Sequence, residues 1–406
     1  MHRVIIIGGG AAGMFAAYSA ASNGKTVVLL EKNEKLGKKI YITGKGRCNL
    51  TANVPLEEFY KCIVSNPKFA YSSLNAMKPC DVMEFFESHG LQLKTERGDR
   101  VFPVSDKASD VTKTLEKTLI SLGVDIRLNT TVESLICENG QIIGVIANGN
   151  QIFADSVIVC CGGISYPTTG STGDGYKFAK RLGHTIIDPR PSLVGIEFKG
   201  ADHLEMQGLS LKNVSLTVKN NEKTIFNDFG EMLFTHFGVS GPIVLSASCK
   251  INRLELDKLT ASIDLKPALD NQTLDKRLQK EFKENNVKMI ATTMRSLLPQ
   301  ALISTVLRQA KVSPNKNCSS ITVAERNNII YALKNLTFSI KKLRPIEEAI
   351  VTAGGVSVKE VNPKTMESKL VKGLFFAGEV LDIDAYTGGY NLQLAFSTGY
   401  SAGLYC

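Results

Sequence analysis

Long hydrophobic runs are missing. No stretch of the 406 residues approaches the roughly 20 apolar residues of a membrane-spanning helix, and there is neither a low-complexity tract nor an internal repeat. The apolar run at the N-terminus is short, carries no cleavage site and belongs to a nucleotide motif, which argues against a signal peptide. Paired cysteine motifs are missing too. The nine cysteines are odd in number, with no CxxC and no Cys/His cluster at metal-ligand spacing. That pattern fits a reducing compartment better than a disulfide framework, and no metal site is expected. The expectation is a cytoplasmic globular protein without membrane insertion. Cys160-Cys161, at the end of an apolar run, read as buried strand thiols. Nothing in the sequence speaks to oligomeric state.

Acidic charge is scarce in one place only. The formal net charge is +9, and residues 266–344 hold fifteen Lys/Arg against five Asp/Glu, so the rest of the chain is close to neutral. This basic segment is either a solvated helical surface or a cap that attracts an anionic substrate or an RNA phosphate. Aromatics suited to base stacking are sparse there, with Phe282, Tyr331 and Phe338 widely spaced. That makes nucleic acid an unlikely partner and leaves a small molecule as the expected substrate.

What is present is concentrated in the first 31 residues. An apolar run, residues 4–7, leads into Gly8-Gly9-Gly10-Ala11-Ala12-Gly13, a small-residue helical pattern, and a second apolar run, residues 27–30, that ends on Glu31. This is a βαβ unit in outline. Gly8 permits the tight turn, Gly10 lets the backbone approach a pyrophosphate at the helix N-terminus, and Gly13 allows close helix–sheet packing. Glu31 is placed to accept hydrogen bonds from an adenosine ribose.

After Glu31 the run from Lys32 to Lys39 leads to Thr43-Gly44-Lys45-Gly46-Arg47-Cys48-Asn49, a loop rich in glycine and donors that reads as wrapping a ligand's polar edge, with Arg47 and Asn49 as candidates. Residues 56–123 read mainly as helices. Strands follow around 123–128, 141–145 and 151–161, the last ending in Gly162-Gly163, where the chain must pass close to a bound nucleotide. A hydroxyl-rich loop, residues 164–175, suits an active-site wall. Beyond Pro189 and Pro191 the pattern changes to consecutive short strands, at 193–198, 214–218, 231–235, 243–246 and 260–265, which argues for an inserted, mainly β subdomain. Residues 273–311 and 323–333 turn helical, with Leu278, Phe282, Leu297, Leu298, Leu302 and Val306 as inward positions. The last sixty residues return to α/β character. An apolar strand closes on Gly378-Glu379, and Gly388-Gly389 opens a terminal helix, again presenting free N–H groups and a positive dipole end.

A dinucleotide motif at one end and a second glycine-rich strand-to-helix element at the other are what FAD requires, because FAD is longer than its pyrophosphate. The first element holds the ADP half. The second holds the ribityl-isoalloxazine half, with Asp384 or Glu379 near ribityl and phosphate groups and the helix near Asn391 aimed at the flavin. NAD is the competing ligand. It does not need the C-terminal element, and no second GxGxxG exists, since Gly170-Ser-Thr-Gly173-Asp-Gly175 has the wrong order. NAD(P)H is therefore expected only as a transient electron donor.

The first glycine motif, the Thr43-Gly44-Lys45-Gly46-Arg47-Cys48-Asn49 loop, Phe234-Thr235-His236-Phe237-Gly238-Val239-Ser240-Gly241-Pro242, Thr365-Met366-Glu367-Ser368-Lys369 and Phe376-Ala377-Gly378-Glu379-Val380-Leu381-Asp382 together resemble a family of bacterial FAD-dependent oxidoreductases. That family includes aminoacetone oxidase and bile-acid enone reductases of gut anaerobes. The resemblance spans nearly the whole chain. It implies an α/β fold with a Rossmann-type, glutathione-reductase-like FAD domain built from both chain ends (1–190 and 345–406), interrupted by a β-barrel-like subdomain (191–268) and a basic helical one (269–344). It also implies that Glu31, Thr43, Arg47, Asn49, Val132, Glu379, Asp384, Asn391 and Leu392 are FAD contacts, Val132 by its place after a strand. With Gly8, Gly10, Ala12, Gly13, Lys32, Lys39, Gly44, Gly162 and Gly378 they make up the expected cofactor site.

Three functions remain open at this level. One is an NAD(P)H-dependent reductase of an activated C=C, such as the enone of a 3-oxo unsaturated bile acid, with Tyr166, His236 or Tyr386 protonating carbon. The second is an amine oxidase that passes electrons to oxygen, although a cationic amine is poorly served by a basic cap. The third is a flavoprotein that binds RNA through the basic segment.

Overall fold

The computed structural model describes residues 2–406. The chain divides into two units, Met1–Ser192 with Pro345–Cys406, and Leu193–Arg344.

In the first unit, residues 4–7, 27–30 and 156–159 are apolar or small and buried along their whole length. Strands of that kind need cover on both faces, which is the condition of a parallel sheet inside an α/β layer structure. With Asp125–Arg127 and Leu374–Phe376 they form a five-stranded parallel sheet, in the order 374–376, 156–159, 3–7, 26–30, 125–127. The helix Ala11–Ser22 joins the strands Arg3–Ile7 and Thr26–Leu30, so the βαβ unit stands at the centre of the sheet. The last helix, Tyr390–Tyr405, lies against Ala11–Ser22 with almost nothing between the two backbones. A Cβ on Gly399 would fall 2.2 Å from the Ala12 carbonyl oxygen, and one on Gly403 would fall 2.2 Å from that of Ala16. Their four-residue spacing puts both glycines on one helix face. Beside that seam the Phe15 ring meets those of Phe396, Phe85 and Phe86 at 4.4, 4.9 and 6.2 Å.

Smaller sheets complete this unit. Val132–Glu138, Gln141–Ala147 and Asn150–Phe153 form an antiparallel meander whose turns, Asn139-Gly140 and Asn148-Gly149, all have positive φ, the pairing that two-residue hairpins favour. Residues 56–123 are helical at Leu56–Lys61, Tyr71–Ala76, Pro79–Ser88 and Ala108–Ser121, but Leu93–Glu96 and Arg100–Pro103 pair as strands beside Thr51–Ala52. Ile186–Ser192 pairs antiparallel with Val351–Val356, and its register shifts between Ile187 and Arg190, which accommodates Pro189.

In the second unit, Ile196–Phe198, Gly238–Ser240, Lys223–Thr235, Ser210–Asn220, Leu259–Asp264 and Leu336–Leu343 close into an antiparallel barrel in that order. Two sequence expectations are corrected here. Residues 243–246 are not a strand but part of the helix Pro242–Ile251. Pro242 presets the first helical φ, and Ile243, Ala247 and Ile251 recur every four residues, a helical period that a short apolar window hides. Nor is 269–344 helical to its end. Leu336, Phe338 and Ile340 are buried while Thr337, Ser339 and Lys341 are exposed, and this period of two makes Leu336–Leu343 the strand that closes the barrel.

Between the last two barrel strands lie the helices Asn271–Glu284, Gln300–Gln309 and Val323–Lys334. Asp270 caps the first through the Thr273 N–H at 2.7 Å, and Thr322 with Glu325 forms a capping box on the third. The six inward positions expected from periodicity are all buried. Part of the basic charge is neutralised in place, by Arg326–Asp275 and Lys334–Asp264 at 2.6 Å and Lys316–Glu325 at 2.7 Å. Among the described residues no helix is long and apolar enough to cross a membrane.

The glycine seam sets a first expectation. Gly403→Leu forces side-chain atoms into the Ala16 carbonyl and should lower unfolding free energy by about 1–3 kcal/mol. Ser401→Ala, which removes a buried hydroxyl without a hydrogen-bond partner, should be neutral or slightly stabilising. Urea unfolding of the two variants checks the contrast.

Candidate cofactor and active site

The strands of the parallel sheet all deliver their C-terminal ends to one edge, and the loops that leave it carry most of the expected cofactor residues. The three motif glycines do different work. Gly8 has φ +103, and a Cβ there would lie 2.6 Å from the Cys160 carbonyl oxygen; one on Gly13 would lie 1.9 Å from the Gly8 carbonyl oxygen. Gly10 by contrast has nothing within 4 Å of the Cβ position. It faces open space at the N-terminus of Ala11–Ser22, a helix with no capping side chain and no acid in its first turn. Its uncapped N–H groups and positive dipole end suit the pyrophosphate of a dinucleotide.

Glu31 is buried, with Oε2 accepting the Gly9 N–H at 2.7 Å and Oε1 accepting the Asn33 backbone N–H and Nδ2 at 2.8 and 2.6 Å. These bonds fix the carboxylate, and Oε2 keeps a lone pair for a ribose hydroxyl. Residues 129–132 run alongside, with the Thr130 N–H donating to the Glu31 carbonyl at 2.9 Å. Val132, two residues further on, is buried at the start of its strand. Lys32 points to Thr172 and Asp174, at 2.6 and 2.8 Å. Burial would raise the Asp174 carboxyl, but hydrogen bonds from Lys32, Lys177 and Thr172 outweigh it and bring the pKa down to about 2.

The loops meet in one charge network. Lys39 Nζ donates to both Glu379 oxygens, at 2.7 and 3.0 Å, and to Ser165 Oγ at 2.7 Å. Ser165 Oγ in turn donates to Glu379 Oε1 at 2.9 Å, as does the Thr352 N–H at 2.8 Å, while Thr352 Oγ1 accepts the Ile164 and Ser165 N–H groups. A Cβ on Gly163 would collide with Thr352 Oγ1 at 2.3 Å. Gly163 and Ser165 lie in two stretches that the sequence singles out, the Gly162-Gly163 turn and the hydroxyl-rich loop, but their partner Thr352 escapes it, because no spacing ties residues 187 positions apart. Gly162 has φ +71 and packs near Ser171 Oγ. Next to Glu379, Gly378 has φ +78, and a Cβ there would lie 2.7 Å from that of Ala12. The C-terminal loop therefore rests directly on the pyrophosphate turn.

In the loop of residues 43–49, Gly44, Lys45, Gly46 and Cys48 all have positive φ. This backbone turns Asn49 inward, where its Oδ1 is buried without a hydrogen-bond partner, an acceptor that suits a ligand N–H. Thr43 Oγ1 donates to the Ile40 carbonyl at 2.7 Å. Arg47 is otherwise engaged: its guanidinium lies 4.2 Å over the Phe102 ring and pairs with Glu96 and Asp106. Asp384 is fully buried and accepts from Ser192 Oγ at 2.7 Å. Asn391 spends its amide on the preceding loop, accepting the Ala385 N–H at 2.9 Å and donating to the Ala385 and Tyr386 carbonyls. Leu392 packs on the core. The helix they open, like the first, has no side-chain cap and no acid in its first turn. A Cβ on Gly389 would lie 2.5 Å from Thr51 backbone.

These residues fit FAD. An open pyrophosphate turn, a fixed ribose acceptor, an orphaned amide oxygen and a second uncapped helix end belong to one unit. Of the three candidate proton donors, Tyr166 is half-buried with φ +49 directly after Ser165, and Tyr386 lies in the loop stapled by Asn391. His236 is exposed in the other unit, in the turn between Lys223–Thr235 and Gly238–Ser240. Cys160 is buried and Cys161 largely so, and burial raises both thiols, Cys161 to about 12. Such thiols are inert rather than redox-active.

Compared with known proteins, residues 2–405 match the family model described as HI0933-like protein Rossmann domain. A 3-dehydro-bile acid delta(4,6)-reductase of Clostridium scindens is 34% identical over 408 residues, 99% of this chain and 98% of the relative. A ribosomal RNA dihydrouridine synthase of Haemophilus influenzae is 31% identical, over 98% of this chain and 97% of its own. Among solved structures, the 3-ketosteroid delta1-dehydrogenase of Sterolibacterium denitrificans superposes with a TM-score of 0.53 at 14% identity, covering 99% of each chain, a likeness of fold.

Gly10→Ala meets no protein atom, so it should fold normally yet lose most of its bound flavin, whereas Gly13→Ala should destabilise the fold itself. Flavin-to-protein absorbance ratios and thermal melts separate the two. Asp174 contributes stability that is present above its unfolded pKa, near 4, and lost as pH falls toward 2. The Asp174→Asn variant should therefore show a shallower loss of stability over that window in acid titrations.

Proposed function

The chain belongs to the HI0933-like Rossmann-domain family and is a flavin oxidoreductase, and from that premise we propose that it reduces a carbon–carbon double bond conjugated to a carbonyl, with NAD(P)H as transient electron donor. The observation that carries this reading is the direct packing of both glycine-rich chain ends in one unit, each opening an uncapped helix N-terminus, an arrangement that suits the two halves of FAD. Bound FAD supplies hydride transfer. Among the described residues the only parallel sheet is the one that builds this cradle, so a nicotinamide donor has no second Rossmann domain and docks on the surface.

The relatives favour reduction over amine oxidation. One is named as a bile-acid reductase, the other for making dihydrouridine. A 3-oxo unsaturated bile acid presents an enone, and uridine presents a C=C conjugated to a ring carbonyl, so one hydride-and-proton addition serves both. The first substrate reading is a hydrophobic anionic enone of the bile-acid type, supported by the relative at 34% identity. The second is uridine in RNA, favoured by the exposed basic residues of the second unit, among them Arg277, Lys283, Arg295 and Lys311. Either substrate is anionic and suits that charge. In the chain's own chemistry, the Lys39–Glu379–Ser165 network holds the loops in place, and Tyr166, Tyr386 or His236 gives a proton to the substrate carbon.

The test is anaerobic bleaching of the flavin by NADH or NADPH, followed by reoxidation with a 3-oxo-delta4 bile acid, a uridine-containing RNA or oxygen. Reoxidation by one of the two conjugated substrates, with its saturated product formed, is expected. Peroxide formed from an amine without NAD(P)H would overturn the reductive direction. Of Tyr166→Phe, Tyr386→Phe and His236→Asn, at least one should slow substrate reoxidation by about a hundredfold with flavin retained; three unchanged rates remove these residues as donors.

A further inference from the structure

Outside the cradle, two tyrosine rings are stacked at the surface. The short helix Leu56–Lys61 turns Phe59 inward, where its ring meets Tyr390 at 4.9 Å, and leaves Tyr60 on the outer side. The Tyr60 and Tyr71 rings lie 5.5 Å apart and 18° from parallel, and Tyr71 is 62% exposed. Asn75 fixes the pair, donating from Nδ2 to the Tyr60 hydroxyl at 3.1 Å and to the Tyr71 carbonyl at 2.8 Å. Lys68, three residues before Tyr71, is exposed, whereas the neighbouring Lys61 is paired with Glu58 at 2.6 Å.

This strip is sewn to the loop that leads into the C-terminal helix. Ile63 bridges Ala385, the Val64 N–H donates to the Asp384 carbonyl at 2.8 Å, and the Tyr386 N–H donates to the Cys62 carbonyl at 2.9 Å. Asn66 Nδ2 reaches the Asp382 carbonyl at 2.6 Å. The stacked rings therefore sit on a rigid support that belongs to the cofactor loop.

We propose that Tyr71, backed by Tyr60 and flanked by Lys68, is a nucleotide-binding subsite, the base stacking on the outer face of Tyr71 and the phosphate turning to Lys68. A held aromatic pair has already lost the rotamer freedom that stacking would otherwise cost, and it accepts any base because every base has a π-face. The exposed ammonium of Lys68, three residues before Tyr71, supplies the charge for one phosphate. Two sources share this chemistry, the dinucleotide electron donor and an RNA strand. The subsite does not depend on which double bond the enzyme reduces.

AMP is the probe, titrated by equilibrium dialysis into FAD-saturated protein so that the dinucleotide cradle is filled. Tyr71→Ala should weaken AMP by about tenfold or more, while Tyr71→Phe, which keeps the ring, should stay within about twofold of the parent. Lys68→Ala should weaken AMP and leave adenosine unaffected. KM for NADH and NADPH in flavin bleaching, and the affinity of a single-stranded oligoribonucleotide, are then measured on Tyr71→Ala; a raised KM names the dinucleotide as the source, a lowered oligoribonucleotide affinity names RNA. Equal AMP affinity in the parent and Tyr71→Ala, with flavin content and circular dichroism unchanged, overturns the subsite, as does a parent that binds no AMP. Flavin bleaching of the parent by NAD(P)H in the same series reports separately on the reductase reading.

Discussion

Backbone has to touch backbone for this chain to make one site from its two ends. Ala12 is hemmed in twice, by Gly378 and by Gly399, and Ala16 once, by Gly403. Any side chain at Gly399 or Gly403 would push the terminal helix away from the first one. The two uncapped helix N-termini would then lose their fixed placement relative to each other. The small residues of the first helix, which make it look weakly amphipathic in sequence, are the price of that approach. Its burial comes from being covered on nearly all sides rather than from an apolar stripe.

Charge is handled differently in the cradle and around it. The first turns of the two helices hold no acid, so no carboxylate of their own offsets the positive dipole ends. One step away, Glu379 takes four hydrogen bonds from Lys39, Ser165 and the Thr352 backbone. A half-buried carboxylate so fully engaged cannot swing toward the pyrophosphate, where it would repel it. The network thus orders three loops and keeps its own negative charge in a fixed place.

The sequence made the central βαβ unit, the C-terminal glycine turn and the buried faces of the inserted helices legible, because each depends on local spacing. Gly8, Gly13 and Gly389 could be read from their types alone, since only glycine meets the positive φ or the close contact found there. Long-range partners were not legible. Arg47 looked like a ligand donor, yet Glu96 and Asp106 occupy its guanidinium, Glu96 from the end of the strand Leu93–Glu96 and Asp106 from the connection after Arg100–Pro103, in a stretch that reads as helical. Asn391 looked like a ligand contact, and its amide proves to be a loop staple. The strand Leu336–Leu343 was lost in a helical, basic neighbourhood, although its alternation was plain once the barrel needed a sixth member.

The order of elements along the chain also fixes an order in time. Val157 pairs with Leu374, and the first helix leans on the last. At about 5–20 residues per second of synthesis, Val157 waits roughly 10–40 s for that partner. The barrel is different, since all six of its strands lie between Leu193 and Arg344 and are complete well before the final helix exists. A nascent chain accordingly carries a finished barrel ahead of an open-edged sheet whose apolar strands await their cover, a state exposed to misassembly.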